Sequence, residues 1–237
     1  MIVRNDSESL LLITQPDHAG LSGRIMAAWL ADGLAQRPSR DTVLLATREH
    51  DNGWEQVDGR PIIERTTGRP HHFMNAPARI KRGIWPRGVA HLEPVDPAAA
   101  ALVAQHALSV LERRPGAAWR RFFTSMVAER DRLLSTGAYE NRLVTLLEDY
   151  RMVFLGDLLS LVFCCGWQEQ FARSGYDIAL RGTTLKVRPD PFLGRTIELS
   201  VRARRIPARR YATDGELRRA LAEAPAEIVT GTATGGR

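Results

Sequence analysis

Five ionisable residues are spaced so that they could serve one metal ion: His18, the adjacent pair His50 and Asp51, His106, and Asp157. Each sits in register with an apolar stripe. His18 precedes Leu21 by three residues and Ile25 by seven; His50 follows Ala46 by four and Val43 by seven; Asp51 follows Leu44 by seven. His106 lies four after Leu102 and four before Val110, and Asp157 three after Phe154 and four before Leu161. Residues at these separations share one helix face, so four helices each direct a His or Asp inward. A buried carboxylate without a partner is costly, and no arginine stands three or four residues from Asp157. Taken singly, each residue could be satisfied by a carbonyl or an arginine. Taken together, a shared cation is the economical solution. Imidazole nitrogens and carboxylate oxygens without thiolates suit Mn, Fe, Zn or Mg.

The elements that must position these residues follow from periodicity and breakers. Residues 2–4 and 9–14 flank the turn-rich NDSE and predict a hairpin. Helices are predicted from Pro16 to about Gln36, from Ser39 or Asp41 to about Asp51, and over about 78–91, 97–113, 117–135 and 138–166, divided by EPVDP, RPG and TG. Between them, 53–77 is rich in Gly and Pro and reads as a long loop, a feature often functional. After Gly175 the pattern turns to strands in DIALRG, TLKVRP and RTIELSVRARRI, then to a helix over about 214–224 and a short tail, TGTATGGR, that reads as unstructured. The expected fold is mainly α: a helical bundle with a small antiparallel β element built from the C-terminal strands and the N-terminal hairpin. Residues 1–174 would form the metal-binding domain and 175–237 a basic β/α extension packed on it.

Composition narrows the class. The 237 residues, 44% hydrophobic and 25% charged, describe an ordinary folded chain. The longest apolar run, FLGDLLSLVFCCGW, contains Asp157 and is too short to span a bilayer. With no signal-peptide pattern at the start and only Cys164 and Cys165 as cysteines, a cytoplasmic location is expected. The formal charge of +6 is local: residues 181–219 carry 11 basic and 4 acidic side chains, leaving the rest near neutral. Arg202 and Arg204 alternate with Val201 and Ala203 as on the solvated face of a strand, and aromatic interleaving is scarce, so nucleic acid is not the expected partner. The adjacent cysteines, and Trp29, Trp85, Trp119 and Trp167, suit packing positions, and His91 suits the surface.

His18, then His50-Asp51, then Asp157 resembles the H…HD…D signature of the HD-domain superfamily, all-helical metal enzymes that are mostly phosphohydrolases with a smaller branch of diiron oxygenases; HDNGW is similar to the HD-x-G turn usual there. The whole chain also resembles a bacterial family of unassigned function, on ITQPDHAGL, EHDNGW, LVAQHALSVL, GDLLSLVFCCGW and PDPF. The first resemblance implies that His18, His50, Asp51 and Asp157 hold a divalent ion, with His106 matching the extra histidine that gives some members a second metal. It implies hydrolysis of a phosphoester or another small anionic substrate, with Asp51 orienting the water and His106 or a loop histidine, His71 or His72, protonating the leaving group beside Arg69. In the oxygenase alternative His106 and a loop histidine complete a diiron site in which Asp51 bridges the irons, and Gln15, three before His18, is similar to a Q-x-x-H arrangement of that branch. Trp54 stands where many HD enzymes have a lysine, which weakens the phosphate expectation and makes Trp54 a candidate pocket wall. A non-catalytic or nucleic-acid-binding protein is the remaining reading.

Overall fold

The computed structural model describes residues 1–111, 116–138 and 143–236. Strands β1 (Ile2–Asp6) and β2 (Ser9–Ile13) form the expected hairpin. Thr14 then caps α1 (Gln15–Ala27): its hydroxyl accepts from the Asp17 N–H, and Pro16 sits in the first turn, where no intrahelical bond is lost. The helix stops at Ala27 and not near Gln36; farther on, Asp32 and Gly33 adopt positive φ and turn the chain into a 3₁₀ turn at Leu34–Gln36. α2 (Arg40–Glu49) delivers the His-Asp pair at its C-terminal end. The stretch expected to be all loop holds a 3₁₀ turn at Asn52–Trp54, the short α3 (Glu55–Asp58) and a second turn at Phe73–Asn75.

Four longer helices follow: α4 (Ala78–Leu92), α5 (Pro97–Val110), α6 (Ala117–Leu133) and α7 (Leu143–Cys165). The expected end of the 97–113 helix, most of the RPG break and the 139–142 start of the last helix lie outside the described residues. α5 is buried on all sides from Ala98 to Ala107, and α7 is buried over most of its length from Leu146 to Cys164. A helix apolar around most of its circumference belongs inside a core, so the side chains these two carry are necessarily interior.

The sheet corrects the expected fold class. β3 (Gln170–Arg173), β4 (Tyr176–Arg181), β5 (Thr184–Arg188), β6 (Thr196–Pro207) and β7 (Ala226–Gly235) join the hairpin in one seven-stranded sheet ordered β1-β2-β6-β7-β5-β4-β3. All neighbours are antiparallel except β5 and β7, which are parallel. About 52% of the structure is helical, and the sheet curls into a half-barrel, so the molecule is an α/β fold and neither all-helical nor a mainly α, HD-like bundle. The supposed tail is the decisive strand: β7 is hydrogen-bonded on both sides, to β6 over nine residue pairs and to β5 over four.

Side chains alternate between two cores, as the period of two requires. Leu11 and Ile13 of β2 face the helices with Val187, Leu199 and Val201, whereas Leu10 and Leu12 face Ile206, Tyr211 and the final helix α8 (Asp214–Glu223), through Leu217. Three arginines of the basic segment are tied to neighbouring elements. Arg205 meets Asp6 and Glu227, Arg209 meets Glu216, and Arg204 donates to the Leu221 and Ala224 carbonyls at the end of α8, where a cation suits the helix dipole. Among the described residues no helix is long and apolar enough to cross a membrane.

Candidate metal centre

The five residues singled out by spacing meet in space. His18 comes from α1, His50 and Asp51 from the end of α2, His106 from α5 and Asp157 from α7, and all are at least nine-tenths buried. Close helix approach makes this possible. A side chain at Gly156 would place Cβ 2.7 Å from Met26 Cγ on α1, 2.7 Å from Thr47 Cγ2 on α2 and 2.8 Å from Ser22 Oγ. Only glycine lets α7 seat Asp157 against both helices.

The hydrogen bonds orient the rings. His50 Nδ1–H donates to the Thr47 carbonyl at 2.8 Å. His18 Nδ1 lies 2.9 Å from Ser160 Oγ, whose own hydroxyl donates to the Asp157 carbonyl at 2.9 Å, so the ring nitrogen is the donor there. His106 Nδ1 lies 3.3 Å from the Tyr150 hydroxyl. Each imidazole therefore turns Nδ1 outward and Nε2 toward the carboxylates. His18 Nε2 is 2.9 Å from Asp51 Oδ2, His50 Nε2 is 3.2 Å from Asp157 Oδ1 and 3.7 Å from Asp51 Oδ2, and His106 Nε2 is 3.7 Å from Asp157 Oδ2. Gln15 Nε2 donates to the same Asp51 oxygen at 2.9 Å. Although near enough to Asp157 for ionic attraction, His50 Nε2 has no aligned hydrogen-bond partner.

A neutral ring that donates from Nδ1 carries no proton on Nε2. His18 and His50 in that form aim bare nitrogens at two carboxylates, which is unfavourable until a cation lies among them. Without a metal, a proton takes that role. Burial opposes charge on His50, but Asp51 and Asp157 outweigh it and lift its pKa to about 9. Burial likewise favours neutral carboxyls, yet His50 and His18 hold Asp51 below the usual range, and His50 and His106 do the same for Asp157. His106 is different: burial pulls it down to about 4 despite Asp157, so it stays neutral. Two triplets, His18–His50–Asp157 and His50–Asp51–His106, bring ligand atoms within 4.8 Å of one another, and these buried clusters can hold a metal ion. The donor set, with its outer partners, fits a divalent cation.

Asp51, His106 and Asp157 open onto a cavity of about 470 Å³. Trp54, three residues after Asp51, and Gln15 both line it. Arg69, His71 and His72 are not brought to it. Arg69 donates to Asn5 Oδ1, His72 accepts from the Met74 N–H while burial lowers its pKa to about 4, and His71 sits by a smaller space beside Val57 and Ile80. Sequence reasoning missed Ser160, Tyr150 and Lys81, and assigned Trp85, Trp119 and Trp167 to packing alone although all three line the cavity. The signal for Ser160 was present, since it stands one turn after Asp157 on the same face.

Residues 1–208 match the family model described as a protein of unknown function, DUF3891. The chain belongs to the DUF3891 family. No curated protein and no solved structure matches it. The DUF3891 match spans all five His and Asp residues and every cavity-lining residue, but ends before α8 and β7.

Proposed function

We propose that this protein is a metal-dependent hydrolase acting on a small-molecule ester, with a phosphoester the class implied by the HD-like motif. One observation carries the reading: three imidazoles anchored at Nδ1 and converging through Nε2 on two carboxylates, beside a cavity. A divalent ion held by His18, His50, Asp51 and Asp157 supplies Lewis acidity and a lowered pKa for coordinated water. The chain's own residues do the rest. Gln15 Nε2 donates to the Asp51 carboxylate and orients it. His106, on the cavity wall beside Asp157, would take the proton of the attacking water and pass it to the leaving oxygen. The water oxygen bonds to the ester's phosphorus or carbon, the bond to the leaving oxygen breaks, and that oxygen leaves with a proton as the alcohol.

A diiron oxygenase draws on the same residues, and the apolar cavity walls are the observation in its favour. Against it, the loop histidines His71 and His72, expected to complete the ligands of a second iron, are not brought to the cavity. The test is metal analysis of the purified protein with assays on aryl phosphate and aryl carboxylate esters, beside oxygen uptake. Near-stoichiometric single metal with ester hydrolysis supports the proposal. Two irons with substrate-dependent oxygen consumption replaces it.

A further inference from the structure

A second cavity, of about 470 Å³, lies apart from the His/Asp cluster and shares no lining residue with the first among the described residues. It sits where the start of α1, the end of α3, strand β6 and helix α8 meet. Three guanidinium groups border it: Arg202 and Arg204 from β6 and Arg218 from α8. Residues two apart on a strand share one face of the sheet, so Arg202 and Arg204 reach the space side by side. Arg218 comes from the helix packed on that face, between Leu217 and Leu221, which meet Leu10, Leu12 and Ile206.

The charges around this space do not cancel. Of the two carboxylates on its wall, Asp58 is already engaged, by the Met1 amine at 2.7 Å and the Gln15 N–H at 2.6 Å. Asp17 accepts from the Thr14 hydroxyl. Arg204 donates from Nη1 to the carbonyls that end α8. Arg202 and Arg218 have neither a hydrogen bond nor an ion pair among the described residues. The next arginine on β6 is treated otherwise: Arg205 is held between Asp6 and Glu227. With Asp58 offset by the amine, three guanidinium charges stand against Asp17 alone. A cleft with such a surplus concentrates anions.

The shape of the surplus narrows the anion. Guanidinium forks bind phosphate oxygens in pairs. Three of them, arriving from a strand and a helix, suit the three peripheral oxygens of a phosphate monoester better than the two of a planar carboxylate. Leu12, Ala203, Leu221 and Ala222 leave apolar wall beside them, and the volume is that of a pocket for a small organic molecule. A polynucleotide would engage basic charge along an extended groove, not within one recess.

We propose that this cavity binds a small organic phosphate, its phosphoryl group held by Arg202, Arg204 and Arg218 and its body against Leu12 and Leu221. The site goes beyond the hydrolase reading and does not depend on it. Arg218 and Leu221 lie past residue 208, where the family match ends, so α8 contributes part of the site from outside that match.

Calorimetric titration of the full chain with phenyl phosphate, glycerol 3-phosphate, AMP and inorganic phosphate tests this, with chelator present and again in Asp157→Asn. At least one organic phosphate should saturate at one per chain, more tightly than inorganic phosphate, under both conditions. Arg202→Gln and Arg218→Gln should each weaken it about tenfold, the scale of one charged hydrogen bond. Both side chains are exposed, so the variants should melt as the wild type does. Arg188→Gln, an exposed arginine outside the cavity, should change nothing. The proposal is overturned if no organic phosphate saturates, if inorganic phosphate binds as tightly, or if the Arg202→Gln, Arg218→Gln double variant binds like the wild type. Binding abolished by chelation or by Asp157→Asn would place the phosphate at the His/Asp cluster instead. Tighter binding of a single-stranded oligonucleotide or of vesicles containing phosphatidate would likewise overturn a small-molecule site.

Discussion

Asp149 and Asp157 lie about two turns apart on α7, both buried, and the protein treats their charges differently. Asp149 is neutralised from within the chain: Arg37 reaches it at 3.0 Å from the segment before α2. Asp157 faces three imidazoles and, across them, a second carboxylate, Asp51, and no arginine or lysine is paired with either among the described residues. One aspartate is a structural clamp with its own cation. The other is part of a site whose charge balance is left to a proton or a metal ion. Burial alone therefore does not mark a functional carboxylate; the identity of its partner does.

The contrast can be broken at the packing that creates it. Gly156→Val should have the largest effect, because its side chain would overlap Met26 and Thr47 and push α7 from α1 and α2. A loss of about 3 kcal/mol in denaturant unfolding is expected, with loss of metal content. A substitution tolerated with full metal content would mean that helix approach does not set the site.

Acid–base linkage separates the two aspartates next. The pKa of His50 stands at about 9, above its ordinary 6.5, so in the metal-free protein its contribution to stability is complete below about pH 6.5 and is lost as pH rises through 9. Metal uptake must displace that proton. Apparent affinity should climb about tenfold per pH unit between 7 and 9 and then level off, with one proton released per ion. A flat profile measured with a chromophoric competitor would contradict the charge assignment.

Arg37→Ala comes third. The guanidinium is 26% exposed, which screens the pair, so a cost of about 2 kcal/mol is expected by thermal melting. Metal content should stay unchanged, since this clamp serves Asp149 alone. Ser160→Ala is the mildest: it removes the acceptor for His18 Nδ1–H and should weaken metal binding about tenfold, at the low end for an outer partner, with little change in melting temperature.

The site was more legible in the sequence than the fold. Helix periodicity places residues three, four and seven apart on one face whatever the tertiary context, and α5 and α7 are buried on so many sides that His106 and Asp157 had nowhere else to point. Strand order has no such local signal. The glycines and threonines of residues 230–236 read as a disordered tail, yet Gly231 is required by packing: a Cβ there would lie 2.3 Å from the Thr183 carbonyl and 2.6 Å from Phe163. Pairing on both edges overrides weak strand propensity. The loop residues Arg69, His71 and His72 escaped placement for a related reason. Their positions depend on turns such as the Ile63–Pro70 bridge, which no periodicity encodes.

The central claim is that Asp157 and its partners hold a divalent ion while Asp149 does not. Elemental analysis of the wild type, Asp157→Ala and Asp149→Ala, purified identically and reloaded with Mn, Fe or Zn, tests it most directly. The expected result is about one metal per chain in the wild type and in folded Asp149→Ala, and essentially none in Asp157→Ala. Wild-type protein that takes up no stoichiometric metal, or Asp157→Ala that retains it fully, would contradict the account.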